Sequence, residues 1–140
     1  MSIKCSDRLI IEGTTLVASD PDRCRRVVIP EGVTSIGKDG MLGCDELTSV
    51  KIPSTVTIID DYAFNYCVKL KRVVIPEGVT RIGIAAFMSC ESLKDVVIPR
   101  TVEYIGENAF SECNIRSIKV PKTTHLDPYV FDDGVEVIRY

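Results

Sequence analysis

The sequence predicts an α/β-type repeat solenoid, a stack of short coils with parallel strands on one side and helical turns on the other. Three observations predict it. An apolar-Pro pair recurs at Ile29-Pro30, Ile52-Pro53, Ile75-Pro76, Ile98-Pro99 and Val120-Pro121, at spacings of 23, 23, 23 and 22 residues. The octapeptide Val27 to Thr34 returns unchanged as Val73 to Thr80. Several other columns keep the same period, and fixed-period self-similarity of this length is the signature of a solenoid.

The columns are specific. Val33, Val56, Val79 and Val102 form one, and Ile36, Ile59, Ile82 and Ile105 another. Gly40, Ala63, Ala86 and Ala109 place a small residue before Met41, Phe64, Phe87 and Phe110. Cys44, Cys67, Cys90 and Cys113 follow, then Leu47, Leu70, Leu93 and Ile115. A single coil cannot bury such a face, but stacked coils cover one another, about 4.8 Å apart if their strands form a sheet. Phe should therefore sit on Phe and Ile on Ile.

Each element follows from local chemistry. Alternation of Val and Ile with other residues before the proline suits a short strand. Proline lacks the N–H a ladder needs, so it marks the corner where the strand ends. The Ala-Phe-x-x-Cys segment is too short for a full helix and is expected to form one or two helical turns. Arg8 to Ala18 reads as two strands around Glu12-Gly13-Thr14, an N-terminal β-hairpin cap over the first coil. At the other end the link from Cys113 to Ile115 is one residue short, a further residue is missing before Phe131, and Val135 to Tyr140 is strand-like. Capping strands keep a sheet edge from pairing with other chains. The expected organisation is one domain over residues 1–140, with an N-terminal cap at 1–26, repeats at 27–121 and a C-terminal cap at 122–140.

The full unit, Leu-x-x-Val-x-Ile-Pro, then x-x-Val-x-x-Ile-Gly, then x-x-Ala-Phe-x-x-Cys, closely resembles the BspA-like leucine-rich repeat family. The match runs from about Val27 to Pro121, and the lead-in Glu12 to Val17 is similar to one common in that family. The resemblance implies a right-handed leucine-rich superhelix with a concave strand face and a convex helical face. It also implies a protein of microbial surfaces associated with adhesion to host proteins or other cells. Compartment is read in two ways: Met1 to Arg8 lacks the apolar stretch of a secretory signal, which points to the cytoplasm, while the resemblance points to secretion or the cell surface.

The sequence carries no apolar run of the 18 or more residues a membrane span needs. A net charge of −3 argues against bulk attraction to nucleic acid. No phosphate loop, nucleophile elbow or histidine-carboxylate motif is present, so no enzyme is expected, and no cofactor. Zinc wants ligands two to four residues apart; the cysteine column has period 23, so these thiols are expected to be core residues. Cys5 and Cys24 lie outside the column and could bridge the cap in an oxidising compartment. Asp60 occupies a column held elsewhere by Gly37, Gly83 and Gly106, which predicts a backbone with positive φ there.

Charge is distributed unevenly. In Leu47 to Ile52, Val50 and Ile52 point inward, so Ser49 and Lys51 face solvent with Thr48 at the rim. Collected over all repeats, these columns hold eight basic residues, Arg25, Arg26, Lys51, Lys71, Arg72, Lys94, Arg116 and Lys119, against one acid, Asp95. The whole chain has 17 basic and 20 acidic residues, so the rest is strongly acidic. Val28, Val74 and Val97 add apolar area beside the charge. The eight cations are the candidate binding face, for a protein or anionic glycan partner. The first functional expectation is therefore a non-catalytic scaffold for protein–protein or adhesion-type interaction. The alternative is a self-assembling unit, with homo-oligomers formed through Leu42, Tyr62, Tyr66, Ile84 and Met88. Ile84 and Met88, four apart, would share a face on a helical turn.

Overall fold

The computed structural model describes residues 8–20 and 24–140. Thirteen short strands follow in order: β1 (Leu9–Glu12), β2 (Thr15–Ser19), β3 (Arg26–Val28), β4 (Ser35–Ile36), β5 (Ser49–Lys51), β6 (Ile58–Ile59), β7 (Arg72–Val74), β8 (Arg81–Ile82), β9 (Asp95–Val97), β10 (Tyr104–Ile105), β11 (Ser117–Val120), β12 (His125–Leu126) and β13 (Glu136–Arg139). Each of the first five coils begins with an odd-numbered strand from β3 onward, turns at its proline and returns through a two-residue strand, and β13 begins a sixth. Coils 1 to 6 thus start at β3, β5, β7, β9, β11 and β13.

The two-residue strands, with β1 and β2 before them, form a continuous sheet in the order β1-β2-β4-β6-β8-β10-β12. Its neighbours are parallel from β2 onward, while β1 and β2 are antiparallel and make the expected hairpin, turning at Gly13 with φ 63°. The opposite sheet is interrupted: β3-β5-β7-β9 form one piece and β11-β13 another.

Between these walls the columns stack as the period requires. Ile36, Ile59, Ile82 and Ile105 are fully buried, as are Leu47, Leu70 and Leu93. The rings of Phe64, Phe87 and Phe110 lie parallel at centroid separations of 5.0 and 5.2 Å, and Phe131 continues the pile 5.7 Å beyond Phe110. Those separations match the spacing of stacked strands, so the register that pairs the backbones also aligns the rings.

The third side departs from the expected helical turns: among the described residues there is no helix. Two residues of each of the first four coils, four apart, take left-handed backbone: Asp39 and Gly43, Tyr62 and Tyr66, Ala85 and Ser89, Asn108 and Glu112. A right-handed helix cannot pass through such residues. Backbone N–H groups instead alternate between two uses. Asn65 N donates to Tyr62 O within its own turn at 3.2 Å, whereas Phe64 N donates to Ala86 O of the next coil at 2.7 Å and Tyr66 N to Met88 O at 3.0 Å. The side is a ladder of turns, and it satisfies buried backbone by bonding between coils. Ile84 and Met88 accordingly share no helical face, since left-handed Ala85 lies between them.

A second expectation also fails. Gly37, Asp60, Gly83 and Gly106 do not have positive φ. At the three glycine positions the coils approach closely: a Cβ on Gly83 would lie 2.4 Å from Asp61 Oδ1 and 2.5 Å from Asp61 N. Asp60 Oδ1 instead accepts the N–H of Asp61 at 2.8 Å.

Candidate functional site

All eight predicted cations are exposed, and they lie on the interrupted sheet or along its rim. Strand register sets the pattern. Arg26, Ser49, Arg72 and Asp95 are consecutive neighbours across β3 to β9, and Val28 faces Lys51 as Val74 faces Val97. Lys71 N donates to Thr48 O and Lys94 N to Lys71 O, so the rim cations also stand in adjacent coils. Strand β13 adds Glu136 beside Ser117 and Ile138 beside Lys119, two positions the repeat columns did not reveal.

Ion pairs of the described residues lie off this face. Arg8 pairs with Asp20, Lys69 with Glu46, Arg81 with Asp61 and His125 with Asp127. Like charges on neighbouring strands repel, each pair costing a few tenths of a kcal/mol. The eight cations outnumber the acids on this face, which are Asp95 beside Arg72 and Glu136 beside Ser117.

The sheet is also not closed. Coils 1 and 2 are joined to the end of their strands by Ile29 N bonding Lys51 O at 3.0 Å, and coils 3 and 4 by Ile75 N bonding Val97 O at 3.1 Å. Between coils 2 and 3 only Ser49 and Arg72 are in register. Strands β9 and β11 lie in separate sheets, tied near their start by Asn114 N bonding Leu93 O at 2.8 Å. Two grooves result. The first, about 440 Å³, is lined by Val50, Lys51, Ile52, Arg72, Val74 and Pro76. The second, about 540 Å³, includes Lys94, Val97, Ile98, Lys119, Ile138 and Tyr140 in its walls. Val50 and Val96, at the grooves, are half-buried where the equivalent Val27 and Val73 are buried.

On the turn side, Leu42, Tyr62 and Tyr66 are exposed, but Ile84 and Met88 are half-buried. The predicted apolar patch is therefore narrower than its five residues imply.

The cysteine column is part of the frame. Cys67 Sγ donates to Met41 O at 3.2 Å, Cys90 Sγ to Phe64 O at 3.1 Å and Cys113 Sγ to Phe87 O at 3.2 Å, each reaching back to the preceding coil. Hydrogen bonding with Cys67, and then burial, push the Cys44 thiol far up. Burial pushes Cys113 up to about 12. Cys44 and Cys113 therefore stay protonated, and Cys67, Cys90 and Cys113 serve as donors. Cys24 is buried, while Cys5, and with it the expected cap bridge, lies outside the described residues. Among the described residues no group of three or more His, Cys, Asp or Glu side chains is placed to hold a metal ion.

One polar cluster went unread in the sequence. Arg81, Tyr104 and His125 are neighbours across β8, β10 and β12. The Arg81 guanidinium lies 4.5 Å from the Tyr104 ring centroid, and the His125 ring stacks on Tyr104 at 5.8 Å. Tyr104 donates to Asp127, which also meets His125 Nε2 at 3.0 Å. That hydrogen bond holds Asp127 below the usual carboxylate range and raises Tyr104. With Arg81 and His125 stacked against it, the Tyr104 ring is occupied by its own neighbours, and the cluster secures the last coils. Its signal was the column Ser35, Ile58, Arg81, Tyr104, His125, in which a cation and two rings fall in successive coils.

A β-solenoid whose surface columns vary over a constant frame is a repeat scaffold, a class suited to interaction with other proteins. Residues 21–136 match six copies of the BspA type leucine rich repeat region, and the chain belongs to that family. It is similar to a leucine-rich repeat protein of Bacteroides ovatus, with 30% identity over 82% of this chain and 33% of that one, TM-score 0.72. A leucine rich cell surface protein of Faecalibacterium prausnitzii gives 32% identity over 82% of this chain and 32% of that one, TM-score 0.74. The leucine rich repeat protein of T. pallidum gives 30% identity over 80% and 55%, TM-score 0.75. This chain therefore spans about a third of the first two and about half of the third. No match was found among curated proteins. Among the described residues no helix is long and apolar enough to cross a membrane.

Proposed function

We propose that this protein is a non-catalytic binding scaffold whose interrupted strand face takes an acidic segment of a partner protein. The observation that carries the reading is the set of eight exposed cations on that face, with the ion pairs of the described residues located elsewhere. A stacked frame presents them already in place, so little ordering entropy is lost on binding. The similarity to the leucine rich cell surface protein of F. prausnitzii supports a cell-surface setting for such a face.

Fluorescence anisotropy with a dye-labelled acidic peptide tests this. Binding should weaken steeply as salt rises, because exposed charges are screened. Replacing Lys71→Glu, Arg72→Glu and Lys94→Glu together should abolish it while the circular dichroism spectrum stays unchanged. Binding that is insensitive to both salt and the reversal would overturn the proposal.

Exposed Leu42, Tyr62 and Tyr66 support a second reading, self-association through the turn side. Light scattering that shows only monomer over a wide concentration range would remove it.

A further inference from the structure

We infer that the two grooves of the strand face are paired anchor sites for one extended peptide in polyproline II conformation, with apolar side chains three residues apart and acidic residues around them. The inference rests on the strand-face reading above and adds the form of the ligand.

Spacing carries the argument. The coils are paired in doublets, β3 with β5, β7 with β9 and β11 with β13, and the grooves are the seams between doublets. Successive seams are thus two coils apart, about 10 Å at the strand spacing of a sheet. A ligand crossing the strands must offer side chains on one face at that interval. A β-strand repeats its face at about 6.8 and 13.6 Å and misses it. A polyproline II helix repeats its face every third residue, about 9.3 Å, and meets it.

Chemistry agrees with spacing. Each groove has apolar walls, Val50, Ile52 and Val74 in one and Val97, Ile98 and Ile138 in the other. Each has a lysine on its rim, Lys51 and Lys119, and Arg72 borders both grooves, with Asp95 beside it as the one acid lining the second. Two apolar side chains would enter the seams while an acidic residue between them meets Arg72. A sulfated polysaccharide could answer the cations but has nothing to place in the seams.

The test is an anisotropy series on the full chain with dye-labelled acidic peptides of equal charge. One carries two leucines three residues apart, others carry them two or four apart, and one carries none. The three-apart peptide should bind at least ten-fold tighter than each of the others. Val74→Ser with Val97→Ser, both at exposed positions, should erase that advantage and leave the leucine-free peptide unaffected. Equal affinity for all spacings overturns the paired-anchor inference and leaves the charged-face reading standing. Tight capture of heparin with no peptide bound also overturns it. If no acidic peptide binds at low salt, the charged-face reading fails and this inference with it.

Discussion

Phe87 is the residue at which stacking in register can be tested most directly. Its ring is fully buried between Phe64 and Phe110, at 5.0 and 5.2 Å and within 4° and 3° of parallel. Replacing a buried Phe by Ala costs about 3 to 5 kcal/mol when the site cannot collapse. Collapse is restricted here, because the coils above and below are held by ladders on several sides. Stacked aromatic pairs add about 0.5 to 1.5 kcal/mol each beyond area, and Phe87 loses two. Phe87→Ala should therefore fall at the upper end, about 5 kcal/mol, against a total of about 7 to 21 kcal/mol expected for 140 residues. Phe131 provides the internal control: half-buried and stacked only on Phe110 at 5.7 Å, it should cost less than half as much. Urea unfolding followed by circular dichroism would measure both, with the slope reporting whether the transition stays cooperative. Since each coil contacts only its neighbours, a weakened centre can also split the transition in two. A loss below about 1.5 kcal/mol for Phe87→Ala, or one no larger than for Phe131→Ala, would refute continuous stacking.

Two further outcomes follow from the frame. Gly83→Ala should destabilise by about 1 to 3 kcal/mol or more, read from the thermal midpoint, because the new Cβ meets the backbone of Asp61; a neutral result would show that the coils can separate there. For Cys113 the folded-state value is raised to about 12, so the folded form holds its proton where the unfolded thiol has lost it. That contribution is complete below the ordinary thiol range near 8.5 and is lost as pH climbs toward about 12. Unfolding at alkaline pH should therefore show a shallower decline for Cys113→Ala than for the wild type; identical declines would count against a buried, protonated thiol.

The strand face and the core were legible in the sequence because both depend on period. Once Ile29-Pro30 and its equivalents fix the corner, alternation decides which side chains point in, and the eight cations follow. The turn side was not legible, because its left-handed positions carry Asp39, Tyr62, Ala85, Asn108, Tyr66, Ser89 and Glu112, with a glycine only at Gly43. Glycine is the usual mark of positive φ, and without it a short apolar segment reads as helical. The error at the Gly37, Gly83 and Gly106 column has the opposite origin: glycine was present, but close approach between coils, and not backbone sign, required it. The seams needed a longer view still, since they repeat over two coils.

Over the first four coils the doublets coincide with an alternation in the turn after each proline. Coils 1 and 3 turn through Gly32 and Gly78, at φ 97° and 109°. Coils 2 and 4 place Thr55 and Thr101 in the same column. Thr55 Oγ1 accepts Gly32 N at 3.1 Å and donates to Val33 O at 2.6 Å, and Thr101 Oγ1 does the same for Gly78 N and Val79 O at 3.2 and 2.8 Å. Each threonine thus clamps its coil to the one before it. Glycine has no hydroxyl to offer, so Gly78 in coil 3 cannot clamp back onto coil 2, and the strands part on that side. The same alternation was visible as Val27 to Thr34 returning 46 residues later, at Val73. At the seam between coils 2 and 3 the missing hydroxyl and the parted strands thus coincide, whereas between coils 4 and 5 Thr124 Oγ1 still donates to Val102 O at 2.7 Å and the strands part nonetheless. Beside the open seams Val74 and Val97 are exposed near Lys51 and Lys119, so the frame itself sets out the features on which the proposed binding reading rests.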